Sequence, residues 1–294
     1  MKIRLTLLSF VVAASAGVAL STPAEATPVR VTNTPLIAVH GWSNAACPGV
    51  DARTSMSGLA WFLWNHGEWN RPYEAVRFYQ CDVNGQDITN GSLADGNTSI
   101  MVLAKQLAWW VYNAYSSKGQ TVELFGYSMG GLIVRWALYR ESLHDEGYPP
   151  SLLVQDAVTV STPHLGANMG SSCPTTMAQC AEMYPGSALL TELAAPAGQS
   201  PQATNGTDWT EMGGGPCDSM PGKSTTGMTG GHRISYYTSA APCYNHGSYL
   251  WDDSVANDTV MAWNQVGWGN TYLSTTTGPH SLALLMKAID TSAW

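Results

Sequence analysis

The sequence predicts an α/β fold, in which a mostly parallel central sheet is covered by helices on both faces. Short apolar runs alternate with segments of helical periodicity along the chain, and this alternation is typical of a parallel sheet with helical crossovers. The chain has 294 residues, of which 45% are hydrophobic and only 12% charged, which suits one densely packed body. The chain length, the composition and the alternation of elements together favour a single domain.

Five apolar runs are strand candidates, and three segments are helix candidates. The strand candidates are residues 36–39, 75–79, 122–125, 155–160 and 234–238. The helix candidates are residues 100–115, 132–139 and 282–289. The first helix candidate is the clearest, because its apolar residues recur at the spacing of one helix face: Leu103, Leu107, Trp110, Val111 and Ala114.

The stretch from 166 to 232 is rich in Gly, Pro, Ser and Thr and includes Gly213-Gly214-Gly215-Pro216. Such a composition indicates loops. We predict that this stretch is a surface excursion from the single domain, held by disulfides, rather than a second domain. Loops at the carboxyl edge of a parallel sheet are also where substrate specificity usually resides.

The amino terminus has the features of an export signal. Lys2 and Arg4 precede an apolar stretch over residues 5–20, and Ala24-Glu25-Ala26 is a small-x-small cleavage pattern. We therefore predict a cleaved signal peptide over residues 1–26, which leaves residues 27–294 as a secreted, extracellular domain. No other segment is apolar and long enough to predict a transmembrane span.

The charge balance argues against nucleic acid as a partner. The chain has 13 Lys and Arg against 21 Asp and Glu, for a formal net charge of −8, and the basic residues are not clustered. A protein that binds a phosphate backbone needs the opposite arrangement. The aromatic content of 12 Trp, 13 Tyr and 4 Phe favours partly hydrated aromatic surfaces.

An even number of cysteines in an exported protein predicts disulfides. The six cysteines are Cys47, Cys81, Cys173, Cys180, Cys217 and Cys243. Their order along the chain suggests three bridges: Cys47–Cys81, Cys173–Cys180 and Cys217–Cys243. Six cysteines allow 15 pairings. The chain has no Cys-x-x-Cys motif, and we predict no metal site.

The strongest motif is Gly126-Tyr127-Ser128-Met129-Gly130-Gly131, which lies between a strand candidate and a helix candidate. A Gly-x-Ser-x-Gly in that context is a nucleophile elbow, in which Gly126 and Gly130 lack the Cβ atoms that would clash in a sharp turn. Ser128 is thereby lifted above the sheet. The following helix points its positive end at the serine.

A serine nucleophile needs a histidine base and an acid that orients it. After a nucleophile elbow, the acid and then the histidine follow the serine along the chain. His40 is excluded by position, and His144 comes too early. We predict His280 as the base, because it directly precedes the C-terminal helix candidate. His232 and His246 are the second choices, each interpreted as a solvated or capping histidine.

Three aspartates precede His280 and follow the last strand candidate: Asp252, Asp253 and Asp258. The adjacent pair Asp252-Asp253 suits solvent or a cation such as calcium, whereas Asp258 lies just ahead of a short apolar run. We predict Asp258 as the acid, with Asp253 as the second choice.

The oxyanion hole requires two backbone N–H groups. Met129, directly after the nucleophile, supplies one of them. The strand candidate at 36–39 ends in His40-Gly41-Trp42, where a turn at Gly41 directs the N–H of Trp42 to the site. We expect His40 to brace this loop.

Several motifs together resemble the secreted bacterial lipases of the α/β-hydrolase superfamily. They are Val39-His40-Gly41-Trp42, the elbow motif, Ser161-Thr162-Pro163-His164-Leu165-Gly166, Asp258-Thr259-Val260-Met261 and Pro279-His280-Ser281-Leu282. The resemblance covers residues 35–280 and implies ester hydrolysis through an acyl-enzyme, a structural role for His164 and preference for Asp258 over Asp253. The chain departs from the smallest members at residues 166–232 and 241–255, which leaves substrate choice and any lid open.

We therefore expect a serine hydrolase of carboxylic esters, a lipase or esterase, that needs no metal or organic cofactor. An amidase variant would use the same apparatus. The first alternative is an extracellular depolymerase of polyesters such as polyhydroxyalkanoates, docking through exposed tryptophans such as Trp61, Trp64, Trp69 and Trp209. The protein would adsorb to a lipid–water interface if its substrates are lipid esters, or to a polymer surface if they are polyesters. The second alternative is a non-catalytic binding module of the same fold.

Overall fold

The computed structural model describes residues 34–43, 51–52, 54–56, 58–59, 72–213, 217–218, 227–236, 244–251, 261–264, 272–275 and 281–290. The predicted signal peptide, residues 1–26, lies outside these ranges. Within them, none of the helices combines the length and the apolar character that crossing a membrane requires.

The described strands form one sheet of nine, in the order β3-β2-β1-β4-β5-β6-β7-β8-β9. Seven neighbouring strands, β1 to β7, are parallel, and β8 and β9 add an antiparallel edge. The strands are β1 (Leu36–Val39), β2 (Tyr73–Arg77), β3 (Gln86–Asp87), β4 (Val122–Tyr127), β5 (Val154–Val160), β6 (Asp208–Gly213), β7 (His232–Tyr236), β8 (Met261–Asn264) and β9 (Tyr272–Thr275). This arrangement confirms the predicted, mostly parallel sheet.

Among the described residues, three longer α-helices and two short ones accompany the sheet. They are α1 (Ile100–Ala114), α2 (Met129–Ser142), α3 (Ala178–Met183), α4 (Ala188–Leu193) and α5 (Ser281–Asp290). Helix α1 begins where the Ser99 hydroxyl accepts the N–H of Met101, a standard N-cap. Three of the five residues whose spacing predicted the helix are buried: Leu103, Leu107 and Val111.

Two hydrophobic clusters lie on opposite faces of the sheet, because successive side chains of a strand alternate between faces. In β1, Ile37 and Val39 belong to one cluster, together with residues of α1 and α2. Leu36 and Ala38 belong to the other, together with residues of α5. The sheet is therefore covered by helices on both faces, as the sequence predicts.

The structure differs from the sequence prediction over residues 166–232, which contain α3, α4 and a buried strand of the sheet as well as loops. Strand β6 pairs with β5 on one side and β7 on the other. Its sequence mixes polar and apolar residues without an apolar run, and the polar Glu211 is fully buried. A strand without an apolar run, followed by consecutive glycines, has the composition of a loop, which is why the sequence prediction missed it.

The disulfide between Cys173 and Cys180 is present, as predicted, and links residues on either side of the start of α3. Cys81 and Cys217 are also disulfide-bonded, and none of the described cysteines is free. Cys47 and Cys243 lie outside the described residues. The bridges Cys47–Cys81 and Cys217–Cys243 therefore stay predictions.

Candidate active site

Ser128 lies in a sharp turn between β4 and α2. Its backbone has φ 54° and ψ −128°, a conformation that non-glycine residues rarely adopt and that occurs mainly at functional sites. The N–H of Ser128 donates to the carbonyl oxygen of Val160, at 2.8 Å, which fixes the turn to the end of β5. Strand, strained serine and helix form the nucleophile elbow of the α/β-hydrolase fold.

Close backbone approaches explain the glycines of the elbow. A Cβ on Gly126 would lie 2.5 Å from the Cα of Gly131, and a Cβ on Gly130 would lie 2.2 Å from the carbonyl oxygen of Val39. Both distances are far below a van der Waals contact. Glycine at these two positions allows α2 to start directly against the ends of β1 and β4.

Among the described residues, His246 contacts the serine. Its Nε2 lies 3.0 Å from Ser128 Oγ. The hydroxyl of Tyr127 donates to the carbonyl oxygen of His246 at 2.8 Å, and the two rings are 5.2 Å apart. Burial, together with the negative charge of Asp218, raises the pKa of Tyr127, so this hydroxyl keeps its proton. The residue before the nucleophile thus anchors the segment that carries the imidazole.

Asp218 completes the arrangement from the other side of the ring. Its Oδ1 lies 3.2 Å from His246 Nδ1, and its side chain is fully buried. The segments of the two residues are joined by a parallel β-bridge between Cys217 and Asn245. With its Nδ1–H facing the carboxylate, the imidazole presents the lone pair of Nε2 to the serine hydroxyl. This arrangement can remove the hydroxyl proton during nucleophilic attack.

Among the described residues, the histidine and the aspartate beside Ser128 are His246 and Asp218, which differ from the residues chosen from the sequence. His280, Asp258 and Asp253 lie outside the described residues, and their roles stay predictions. The order serine, acid, histidine along the chain is kept. The sequence of β6 has no apolar run, so sequence patterns do not mark the loop that follows β6, where Asp218 lies, as a source of the acid. The loop that carries His246 follows β7.

Two other histidines have structural partners. His232, the other second choice, is the first residue of β7, at the end of the strand opposite to the loop of His246, and its Nε2 lies 3.2 Å from Asp208 Oδ1. His164 is buried, with Nδ1 3.2 Å from Arg135 Nη1 and Nε2 3.0 Å from Thr159 Oγ1.

The environment of His164 keeps its ring neutral. Burial lowers its pKa well below the ordinary value, and the nearby charges of Arg135 and Arg233 lower it further. A neutral ring accepts a hydrogen bond from Arg135 and donates one to Thr159. His164 therefore packs under the site without contributing a proton to it.

His40 contacts two acceptors. Its Nε2 lies 2.9 Å from Asp82 Oδ2, and its Nδ1 lies 2.8 Å from the carbonyl oxygen of Gly41. Both ring nitrogens therefore face oxygen acceptors. Burial opposes ionisation of Asp82, but the hydrogen bond and charge of His40, with the N–H groups of Phe78 and Tyr79, lower its pKa overall.

The contact from His40 also orients the predicted oxyanion donor. The carbonyl of Gly41 and the N–H of Trp42 belong to one planar peptide unit, so fixing the carbonyl fixes the N–H. Gly41 lies against the nucleophile, because a Cβ on it would be 2.7 Å from Ser128 Cβ. Met129, the other predicted donor, is the buried first residue of α2.

No group of three or more His, Cys, Asp or Glu side chains lies close enough together to hold a metal ion among the described residues.

Residues 88–194, which include the elbow, match the model of a protein family described as "Putative serine esterase (DUF676)". No curated protein matches the chain. The chain is similar to several solved structures at low sequence identity. Aspergillus fumigatus lipase B is 16% identical, with a TM-score of 0.46 over 74% of this chain and 49% of that one.

Bacillus licheniformis lipase BlEst2, in its propeptide form, is 14% identical, with a TM-score of 0.48 over 80% of this chain and 50% of that one. Phospholipase PlaB from Legionella pneumophila is 15% identical, with a TM-score of 0.42 over 63% of this chain and 40% of that one. The matched region thus spans about half the length of each lipase structure, and less of the phospholipase.

Proposed function

We propose that this protein is a serine hydrolase of carboxylic esters, with Ser128 as nucleophile, His246 as general base and Asp218 as the orienting acid. The observation that carries the proposal is the continuous hydrogen-bonded chain from Ser128 Oγ through His246 to the buried Asp218, mounted on a strained elbow. The similarity of residues 88–194 to a serine esterase family supports the same reaction class.

The reaction proceeds in two steps. His246 Nε2 takes the proton of Ser128 as Oγ attacks the ester carbonyl, and the N–H groups of Met129 and Trp42 stabilise the oxyanion. His246 then gives this proton to the departing alcohol, which leaves an acyl-enzyme. Water attacks the acyl carbonyl while His246 takes its proton, and Ser128 regains a proton as the carboxylic acid departs. Asp218 holds the required tautomer and stabilises the imidazolium in both steps.

Secretion is part of the proposal. The features around Lys2, Arg4 and Ala24-Glu25-Ala26 have the form of a cleaved export signal. Disulfide bonds at Cys173, Cys180, Cys81 and Cys217 suit an oxidising compartment.

One of the four tryptophans suggested for docking to a polymer surface is not exposed. Trp209 is buried in the core, where its Nε1 donates to the carbonyl oxygen of Pro201 at 2.8 Å. Trp61, Trp64 and Trp69 lie outside the described residues. A lipase or esterase acting on monomeric or emulsified esters is therefore the function we favour.

The test compares paired variants on p-nitrophenyl esters of increasing acyl length. Ser128→Ala and His246→Ala should each lower turnover on the order of 10³-fold or more, because the members of a triad act as one unit. Asp218→Asn should lower it on the order of 10²-fold or more, because the orienting charge is lost. The matched variants His280→Ala and Asp258→Asn should keep turnover near the wild-type value.

Mass spectrometry after treatment with a fluorophosphonate should locate the adduct on Ser128. Full activity in Ser128→Ala, with folded protein, would exclude the proposed reaction. Loss of activity in His280→Ala but not in His246→Ala would restore the sequence-based assignment of the base.

A further inference from the structure

Ser161 is a buried serine that the proposed mechanism does not use. It directly follows β5 in the motif Ser161-Thr162-Pro163-His164-Leu165-Gly166 and is fully buried. Its backbone has φ 51°, in the left-handed region, and its N–H donates to the carbonyl oxygen of Met212 at 2.8 Å. A strained conformation of a buried non-glycine residue beside an active site indicates that the side chain has a function there.

The hydroxyl of Ser161 contacts both polar partners of the nucleophile. Its Oγ lies 3.0 Å from His246 Nδ1, and its O–H donates to Asp218 Oδ2. Asp218 Oδ1 lies 3.2 Å from the same Nδ1. Because the hydroxyl proton is directed to Oδ2, a lone pair of Oγ faces the Nδ1–H. The three side chains form a closed ring of hydrogen bonds.

This ring of hydrogen bonds fixes the rotation of the Asp218 carboxylate and the orientation of the His246 imidazole, and the proposed mechanism requires both. A carboxylate can rotate about its Cβ–Cγ bond, and the hydrogen bond from Ser161 to Oδ2 leaves Oδ1 of Asp218 facing the imidazole. The Nδ1–H of His246 is shared between Oδ1 and Oγ, which sets the orientation of the ring. When the imidazole becomes charged during the reaction, both acceptors stabilise it, because hydrogen bonds to charged groups are the stronger ones.

The backbone shows why this position is suited to the task. Val160, the preceding residue, accepts the N–H of Ser128, so the end of β5 holds the nucleophile through its main chain. One residue later, the side chain of Ser161 reaches the acid and the base. A single strand end therefore sets the relative position of all three groups.

We propose that Ser161 is a positioning residue of the active site, which holds Asp218 and His246 in register with Ser128. The inference deepens the proposed function and rests on it. It also gives the Ser-Thr-Pro-His motif a functional part through its first residue, beside the structural part of His164.

The test removes the hydroxyl with two substitutions, one that keeps the backbone strain at residue 161 and one that relieves it. Ser161→Ala retains a Cβ at a positive φ, whereas Ser161→Gly relaxes the strained backbone. Both should lower kcat on the order of tenfold to a hundredfold, the value of a hydrogen bond to a charged group, with KM little changed. The rates of acylation and deacylation, measured from the burst phase and the steady state, should both fall, because His246 acts in each step.

Ser200→Ala is the matched control. Ser200 is also a buried serine at a positive φ, of 44°, but its hydroxyl donates to the carbonyl oxygen of Thr229 at 2.9 Å. This variant should lose stability without losing kcat. The low-field proton resonance of His246 Nδ1–H should shift in both Ser161 variants and stay in place in Ser200→Ala.

The outcomes separate the inference from the function on which it rests. An unchanged kcat in Ser161→Gly, or a loss of kcat that follows the loss of Tm across the three variants, would overturn the positioning role. A Ser128→Ala variant that keeps its activity would instead overturn the proposed function. If Ser161→Ala does not fold, Ser161→Gly alone decides, because its backbone is the less strained of the two.

Discussion

The imidazole of His40 lies 2.9 Å from the carboxylate of Asp82, and both side chains are buried. The Phe78 ring stacks on the imidazole, with the ring centroids 4.1 Å apart. Asp82 Oδ2 also accepts the N–H groups of Phe78 and Tyr79, at 2.9 and 2.7 Å. The buried His40–Asp82 contact thus ties the loop after β2 to the oxyanion loop after β1.

Asp82→Asn should destabilise the protein strongly, because the buried carboxylate oxygen contacts His40 and accepts two backbone N–H groups, and an amide is the weaker acceptor. Hydrogen bonds to a charged group contribute about 1.5–3 kcal/mol each to the free energy of unfolding. Because the folded-state pKa of Asp82 is depressed, its stabilising contribution is complete above the unfolded pKa of about 4. The contribution is lost as the pH falls through the folded value. Urea denaturation at pH 7 and pH 3 should show a smaller difference between variant and wild type at the lower pH.

Asp145→Asn is the control for that comparison. Asp145 pairs with Arg140 at the surface, where both side chains are about a quarter exposed. The expected change is below about 1 kcal/mol. An equal loss of stability in both variants would contradict the special role of the buried pair.

Glu211 should make the protein less stable as the pH rises. Burial raises its pKa to about 8, against the lowering effects of Arg233, the Met228 N–H and Arg135. The folded state therefore keeps a proton that the unfolded state releases between about pH 4.5 and pH 8, so folding becomes less favourable across this window. Glu211→Gln should remove most of this slope, which denaturation at several pH values would measure. A variant whose slope equals that of the wild type would show that Glu211 is ionised in the folded protein.

The disulfide at Cys217 should matter for activity more than the bridge between Cys173 and Cys180. Cys217 directly precedes Asp218 and forms the β-bridge to Asn245, next to His246. We expect Cys217→Ala to lower kcat about tenfold or more, because small displacements of catalytic groups are costly. Steady-state kinetics well below the midpoint of unfolding would measure this effect.

The double variant Cys173→Ala/Cys180→Ala removes the other bridge as a control. Its free energy of unfolding should fall by up to about 4 kcal/mol, while its kcat should stay at the wild-type value. Equal kcat values in the two proteins would refute a role for the Cys217 bridge in holding the acid.

Two glycines near the nucleophile should respond differently to alanine. A Cβ on Gly41 would lie 2.7 Å from Ser128 Cβ and 3.1 Å from its Oγ, so Gly41→Ala should displace the nucleophile and lower turnover on the order of 10²-fold. A Cβ on Gly247 would have Asn245 Oδ1 and the Tyr127 hydroxyl as its nearest neighbours, at 3.9 and 4.0 Å. Gly247→Ala should therefore keep its activity in the same ester assay. The reverse ranking of the two variants would contradict the packing around Ser128.

The sequence predicts the fold well where local patterns determine it. The bounds predicted for β1 agree with the structure, and three of the five residues whose spacing predicted α1 are buried in it. The elbow motif locates Ser128, because its glycines have a local steric cause. Strand β6 lacks such a pattern, since Glu211 occupies a buried position that an apolar residue usually fills.

No local sequence pattern identifies His246 as the histidine beside Ser128. His246 and Ser128 are 118 residues apart, and the loop that brings them together is fixed by the order of the strands. The choice between His246 and His280 therefore depends on long-range contacts, which local sequence patterns do not contain. The contact of Ser161 with Asp218 is likewise visible only in three dimensions.

The proposed site depends on contacts between distant parts of the chain, which affects the order of folding. Ser161 and Asp218 are separated by 57 residues, and Ser161 and His246 by 85. Contacts of such long range form slowly, because closing large loops costs entropy before the contacts repay it. Helices α1 and α2 depend on local contacts and can form early, whereas the ring of Ser161, Asp218 and His246 requires β4 to β7 to be in register. Recovery of hydrolysis during refolding would therefore report completion of the sheet and would lag behind the recovery of helical circular dichroism.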